Sequence, residues 1–173
     1  VEMFLREAKL AARFNHPNIV QIYELGQHGD DYFIAMEYID GLSLQRLARR
    51  AWGRGVGVPL EVSLRAVADA ATGLAHAHEA KDDGGKPLGL VHRDVSPDNL
   101  MTMRGEGVTK ILDFGVARAT EAESLTRSGE LKGKVPFMSP EQVAGEALDH
   151  RADLYALGVT LYWLLTRSLP FKE

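Results

Sequence analysis

The chain has 173 residues, of which 45% are hydrophobic, 8% aromatic and 25% charged, with a formal net charge of −4 and no cysteine. That length allows one domain or most of a larger one, and the composition excludes collagen, coiled coil and a disordered chain. The missing cysteine excludes a disulfide scaffold, a thiol nucleophile and Cys-ligated zinc or iron–sulfur centres, and the acidic balance speaks against nucleic acid or an anionic membrane as a partner.

Residues 1–14 set Phe4, Ala8, Ala11 and Ala12 roughly on one side and predict a helix. Asn15-His16-Pro17-Asn18 stops it, because proline disfavours helical geometry in the residue before it. The opening stretch carries an early acid, Glu2, and no apolar core of the kind a secretory signal needs; a start at Val1 suggests a fragment or an unusual start codon. Two strands are predicted next, Ile19 to Leu25 and Asp31 to Ile39, joined by the turn Gly26-Gln27-His28-Gly29-Asp30. Asp40-Gly41 ends the second strand, and Ser43 to Ala51 reads as a short helix carrying Arg46, Arg49 and Arg50.

Gly53-Arg54-Gly55-Val56-Gly57-Val58-Pro59 has the composition of a phosphate-cradling loop. Such loops need a strand before them to aim their backbone amides, and here a helix precedes, so a plain connection is expected. A helix follows over Pro59 to Ala80, with Leu60, Leu64, Val67, Ala71, Leu74 and Ala75 as its apolar face. His76 and His78 stand two apart near its end, so they address different faces and do not chelate one metal; they read as ordinary helix-end histidines. Lys81 to Gly89 reads as a flexible insertion.

From Leu90 onward short apolar pieces alternate with polar loops: Leu90-Val91, Leu100 to Met103 and Val108 to Leu112. Residues 116–135 are polar, rich in hydroxyls and aperiodic, the pattern of a mobile loop. From Asp149 a helix is expected with apolar residues on almost every side, which predicts burial all round. Its longest uncharged run, Leu154 to Thr166, has 13 residues, short of the roughly 18 a membrane span requires. The class is α+β, with more helix than strand.

Three motifs carry the chemistry. His92-Arg93-Asp94-Val95-Ser96-Pro97-Asp98-Asn99 comes first; Asp113-Phe114-Gly115 places Asp113 19 residues after Asp94; Ser139-Pro140-Glu141 places Glu141 28 residues after Asp113. Each is short enough to occur by chance, and the ordered set at this spacing is not. Carboxylate and amide oxygens held in loops are hard donors of the kind that suit a cation such as Mg²⁺.

On these motifs the chain resembles the eukaryotic-like protein kinase family, with the texture of bacterial Ser/Thr kinases, from Glu2 to Phe171. The resemblance implies a protein-kinase-like fold: a partial N-lobe and hinge over 1–39, holding the αC helix and the fourth and fifth strands, and a partial, mainly helical C-lobe over 40–173. Pro59–Ala80 is similar to the family's αE helix, 113–141 to its activation segment and 149–167 to its αF helix. It further implies Asp94 as the group that accepts or orients the substrate hydroxyl, and Asn99 and Asp113 as Mg²⁺ ligands beside ATP. Glu7 resembles the αC glutamate. Met36 resembles the gatekeeper before a hinge of Glu37-Tyr38-Ile39, whose backbone bonds the adenine edge. Asp153 resembles the αF aspartate that braces the catalytic loop. Arg93 implies pairing with a phosphate on the activation segment, where Thr120, Ser124, Thr126 and Ser128 offer hydroxyls, Thr126 and Ser128 foremost.

Two departures from the family pattern stand out. Ser96 occupies the position of the usual lysine two residues after the catalytic aspartate, and Lys134 that of the usual threonine before the Pro-Glu motif. Lysine and hydroxyl have exchanged places, so Lys134 is expected to restore the cation and Ser96 the hydroxyl partner. The glycine-rich loop, the third-strand lysine and the later arginine that pairs with Glu141 are not among these residues, so the 173-residue piece alone is expected to be poorly stable and without turnover. The implied substrate is a protein Ser or Thr hydroxyl, with ATP and Mg²⁺ in the cytoplasm, no membrane contact from this segment, and a kinase dimer for activation-loop phosphorylation. A noncatalytic, pseudokinase-like binding module or inactive gene fragment is the alternative.

Overall fold

A computed structural model describes residues 12–29, 31–114 and 135–171. The predicted first helix and the hydroxyl-rich loop fall almost wholly outside the described residues, and with them Glu7, Lys134, Thr120, Ser124, Thr126 and Ser128.

The described chain is α+β. Strands β1 (Ile22–His28) and β2 (Asp31–Met36) form an antiparallel pair with Ile22 opposite Met36 and His28 opposite Asp31. The predicted first strand is thus divided. Ile19 bridges Ile111, and the Val20 N–H donates to the Ile111 carbonyl at 3.0 Å, while the strand proper starts at Ile22. All three residues are buried, so this apolar run, which lacks the two-residue alternation of a one-sided strand, serves two sheets in turn. The second strand ends at Met36, three residues before the expected Ile39.

A second, three-stranded sheet has the order β3 (Gly41–Ser43), β4 (Leu100–Met103), β5 (Thr109–Ile111), all antiparallel. A three-residue strand such as β3 is too short to leave a periodic signal, and none was expected there. Ser43 then caps helix α1 (Leu44–Gly53), its side-chain oxygen accepting from the Arg46 N–H. The glycine-rich stretch after α1 is a connection between two helices, closed by Gly55 N–H to the Trp52 carbonyl at 2.9 Å.

Helix α2 (Leu60–His78) lies close to its predicted bounds, but its buried face differs from the predicted one. Ser63, Ala66, Asp69, Ala70, Gly73, Leu74 and Ala77 are buried, whereas Leu60 and Leu64 are exposed. Small residues occupy the inner stripe because the helix backbone runs close to its neighbours. A Cβ on Gly73 would lie 2.9 Å from the Asn18 carbonyl oxygen and 3.0 Å from Ile111 Cδ1. Buried Asp69 accepts from the Thr109 N–H at 2.9 Å and from Arg65 Nε at 2.8 Å, which ties α2 to β5.

The stretch after α2 is an organised turn rather than a flexible insertion. Asp82 Oδ1 accepts from the N–H groups of Gly84 and Lys86, both at 2.9 Å, and Lys81 bridges Pro87. Beyond the second undescribed segment, a 3₁₀ turn (Val135–Phe137) leads to α3 (Pro140–Ala144) and α4 (Arg151–Thr166). Bidentate pairing with Arg151 at the start of α4 holds the Asp149 carboxyl down to about 2. Helix α4 buries Ala152, Asp153, Ala156, Leu157, Val159, Thr160 and Leu164, yet leaves Leu154, Tyr162 and Leu165 exposed. The expectation of burial all round is corrected to one buried face, the one turned toward α2. Among the described residues no helix is long and apolar enough to cross a membrane.

Candidate active site

The β4–β5 register builds the site. Leu100 pairs with Ile111, so the residues just outside the ladder, Asn99 and Leu112, come side by side, and Leu112 N–H donates to the Asn99 carbonyl at 2.9 Å. The loop entering β4 (92–99) and the segment leaving β5 (112–114) therefore share one end of the hairpin. Asn99 is hydrogen-bonded there to Asp94 and to the Ser96 carbonyl, Arg93 lies on the same loop, and Asp113 lies on the adjoining segment.

Asp153 in the first turn of α4 anchors that loop. It is 1% exposed; Oδ2 accepts from the His92 N–H at 2.8 Å and from His78 Nε2 at 2.7 Å, and Oδ1 accepts from the Arg93 N–H at 2.8 Å. A buried carboxylate is costly unless hydrogen-bonded, and these three bonds to a charged acceptor offset that cost. Since a carboxylate only accepts, the proton of His78 sits on Nε2. His78 is thus more than a helix-end histidine. Its neighbour of the same type goes elsewhere, His76 stacking on His16 with centroids 4.9 Å apart, as the two-residue spacing requires.

His92 links the two loops. Its Nδ1 accepts from the Asp94 N–H at 3.2 Å, so the ring proton is on Nε2, which donates to the Leu112 carbonyl at 2.8 Å. The buried ring also packs edge-on against Phe114, centroids 4.7 Å apart, and Phe114 in turn meets Phe14 at 5.3 Å. Arg93 and Asp113 both have positive φ, 68° and 53°. A left-handed backbone in a residue with a side chain costs about 1–2 kcal/mol, and here one such residue lies on each of the two loops.

Asn99 Nδ2 donates twice to Asp94, to its carbonyl at 2.8 Å and to Oδ2 at 2.9 Å. That fixes the carboxylate and leaves Asn99 Oδ1 without a hydrogen bond among the described residues. The exposed Asp113 carboxylate likewise has no partner among them. Two uncommitted hard oxygens on adjacent loops fit a small divalent cation that completes its shell with phosphate and water. Among the described residues no cluster of three or more His, Asp or Glu could enclose a metal alone.

Met36 lines a small cleft with Ile19, Val20, Ile22, Ile34, Phe114 and Asp113, so the predicted gatekeeper lies beside the predicted metal loop. Glu37 is engaged: its N–H donates to the Gln21 carbonyl at 2.8 Å, and Oε2 accepts from Lys110 Nζ at 2.9 Å. The Glu37 carbonyl and the Ile39 N–H make no hydrogen bond among the described residues, so one acceptor and one donor are available on this backbone stretch. Ser96 is buried, and its Oγ has no partner among the described residues. Sequence reasoning missed His78, Lys110 and Asp69; only for His78 was there a signal, the helix-end pair itself.

The sequence model described as protein kinase domain matches residues 2–173. The chain is 50% identical over its whole length to a protein of Myxococcus xanthus named tyrosine-protein kinase MasK, covering 27% of that relative. It is 42% identical to the serine/threonine-protein kinase pkn3 of the same species, again over the whole chain and 31% of the relative, and 36% identical to the serine/threonine-protein kinase PrkC of Bacillus subtilis over 99% of the chain and 24% of that protein. The chain therefore spans about a quarter to a third of the curated relatives it matches. A crystal structure of the Mycobacterium tuberculosis PknI kinase domain superposes with a TM-score of 0.72 at 29% identity, over 99% of the chain and 58% of the solved one.

Proposed function

The chain belongs to the protein kinase domain family, of the eukaryotic-like bacterial type, and from that premise we propose that it carries the catalytic part of a Ser/Thr protein kinase, moving the γ-phosphate of ATP to a protein hydroxyl. One observation carries the reading: Asn99 holds the Asp94 carboxylate with its amide nitrogen, and its backbone carbonyl accepts from the Leu112 N–H next to Asp113. Residues 1–39 form the N-lobe part and hinge, and 40–173 the C-lobe part.

Asp94 accepts the hydroxyl proton as the hydroxyl oxygen bonds to the γ-phosphorus; the bond to the β-phosphate oxygen breaks and ADP leaves. Asn99 Oδ1 and the Asp113 carboxylate would hold Mg²⁺, which would neutralise charge on the phosphates. The Glu37 carbonyl and Ile39 N–H bond the adenine edge, with Met36 behind it, and Glu7 orients the N-lobe partner of the phosphates. Arg93 pairs with a phosphate on the activation segment, added by a second copy of the kinase. ATP places the reaction in the cytoplasm.

The exchange of Ser96 and Lys134 is part of the reading. In this reading Ser96, buried and without a side-chain hydrogen bond among the described residues, offers the hydroxyl, and Lys134 supplies a cation near the transferring phosphate. Lys134→Thr is expected to lower kcat about tenfold or more, and adding Ser96→Lys to restore it. Full activity in the single variant, or no recovery in the double, contradicts the exchange.

The name of one of the two Myxococcus relatives, the tyrosine-protein kinase MasK, favours a second reading, transfer to tyrosine. Pro97-Asp98-Asn99 supports the Ser/Thr assignment, because the segment resembles the Ser/Thr form of the catalytic loop. Labelled γ-phosphate followed in the full-length protein and its Asp113→Ala variant, with hydrolysis to phosphoamino acids, tests transfer and acceptor together.

A further inference from the structure

The catalytic loop is held from a second side by a residue outside the three motifs. Gln142, in α3, closes a capping box: its own N–H donates to Ser139 Oγ, and its Oε1 accepts from the Ser139 N–H at 3.3 Å. The other end of the same amide, Nε2, donates to the Arg93 carbonyl at 2.6 Å, 49 residues away in sequence. The amide orientation follows from its partners. A flipped amide would set oxygen against the Arg93 carbonyl and NH₂ against the Ser139 N–H.

The peptide between Arg93 and Asp94 is thereby pinned at both ends. Its carbonyl accepts from Gln142, and its N–H donates to the His92 ring. The orientation matters because Arg93 sits at φ 68°, so the peptide that follows leaves an unfavourable backbone conformation and sets the direction of the Asp94 side chain. Asp153 fixes the peptide before Arg93, through the Arg93 N–H. Gln142 fixes the peptide after it, and does so from the helix that follows the activation segment.

We propose that Gln142 is a positioning residue for phosphoryl transfer, coupling the capped start of α3 to the direction of Asp94 through the Arg93 carbonyl. The inference rests on the kinase reading given above. The side chain needs both chemistries: an acceptor for the cap and a donor for the loop.

Gln142→Glu separates them. Glutamate at this position of a capping box accepts from the Ser139 N–H as glutamine does, but brings a second acceptor against the Arg93 carbonyl. Gln142→Ala removes both side-chain bonds and leaves that carbonyl to water. The full-length protein and both variants are compared by ADP release at saturating ATP and Mg²⁺ with myelin basic protein as acceptor, and by thermal unfolding. The expected order of kcat is parent, then Ala, then Glu, with the Glu variant about three- to tenfold below parent, its KM for ATP within about twofold, and its midpoint at or above that of the Ala variant. A purely structural role predicts instead that kcat follows the unfolding midpoint, with Glu above Ala. That order, or parental kcat in the Glu variant, overturns the inference and leaves the kinase reading standing. If the Glu variant does not fold, the Ala variant decides: lowered kcat at an unchanged midpoint supports the role, and parental kcat ends it. A folded parent with no ADP release ends the kinase reading, and this inference with it.

Discussion

Asp94→Asn in the full-length protein is expected to lower kcat by about a thousandfold, within the usual range for a general base, while KM for ATP changes by no more than about twofold. Asparagine has the same shape and keeps an oxygen to accept from Asn99 Nδ2, so the loop geometry survives the change. What disappears is the carboxylate proposed to take the hydroxyl proton. Asn99, proposed as a metal ligand, is bonded to Asp94, and the new asparagine oxygen keeps that bond, so the proposed nucleotide contacts at Met36, Glu37, Ile39 and Asp113 are expected to persist. A steady-state ADP-release assay measures both constants. A kcat within tenfold of parent places the proton acceptor elsewhere and removes Asp94 from its role.

The second large effect belongs to Asp153, and it is an effect on folding first. Asp153→Asn is expected to destabilise the fold by about 3 kcal/mol, a fall in the unfolding midpoint of roughly 5–10 °C, with a loss of kcat alongside. The carboxylate accepts three hydrogen bonds, from two backbone N–H groups and a histidine, at a site that is 1% exposed. An asparagine offers one oxygen, and its NH₂ must then face a donor. Both the unmade bond and the donor–donor contact are buried, where neither is relieved by water. Calorimetry or fluorescence melting of the variant checks the value. An unchanged midpoint would mean that the α4 brace does not carry the catalytic loop.

The contrast between these two residues shows which parts of the site could be read from sequence. Asp94, Asn99 and Asp113 announce themselves, because the chemistry needs those residue types in short motifs beside a strand pair. Their juxtaposition also follows from sequence once Leu100–Met103 and Val108–Leu112 are read as the two sides of a hairpin. Asp153 was recognisable through the family resemblance, and its three partners were not. The contact from His78 spans 75 residues and that from the His92 backbone 61, distances over which no local pattern speaks.

The apolar face of α2 failed for a related reason. Hydrophobic periodicity rewards large side chains, so Leu60 and Leu64 outweighed Ser63, Ala66, Ala70 and Gly73. Close backbone approach to Asn18 and Ile111 selects the small ones instead. The division of the first strand between two sheets escaped notice because Ile19, Val20 and Ile22 are equally apolar whichever sheet they join. Gln142 carried no signal of its own. A glutamine three residues after a serine predicts a helix cap, and nothing in that pattern points to a carbonyl 49 residues earlier.

The central claim is that Asp94, Asn99 and Asp113 form a phosphoryl-transfer site acting on a protein Ser or Thr hydroxyl. Its most direct test gives the purified full-length protein γ-labelled ATP and Mg²⁺, alongside its Asp113→Ala variant, and identifies the labelled amino acid after acid hydrolysis. Label is expected on serine or threonine in the parent, with at least a hundredfold less in the variant. Label on tyrosine alone would contradict the acceptor assignment, and equal labelling of parent and variant would contradict the site itself.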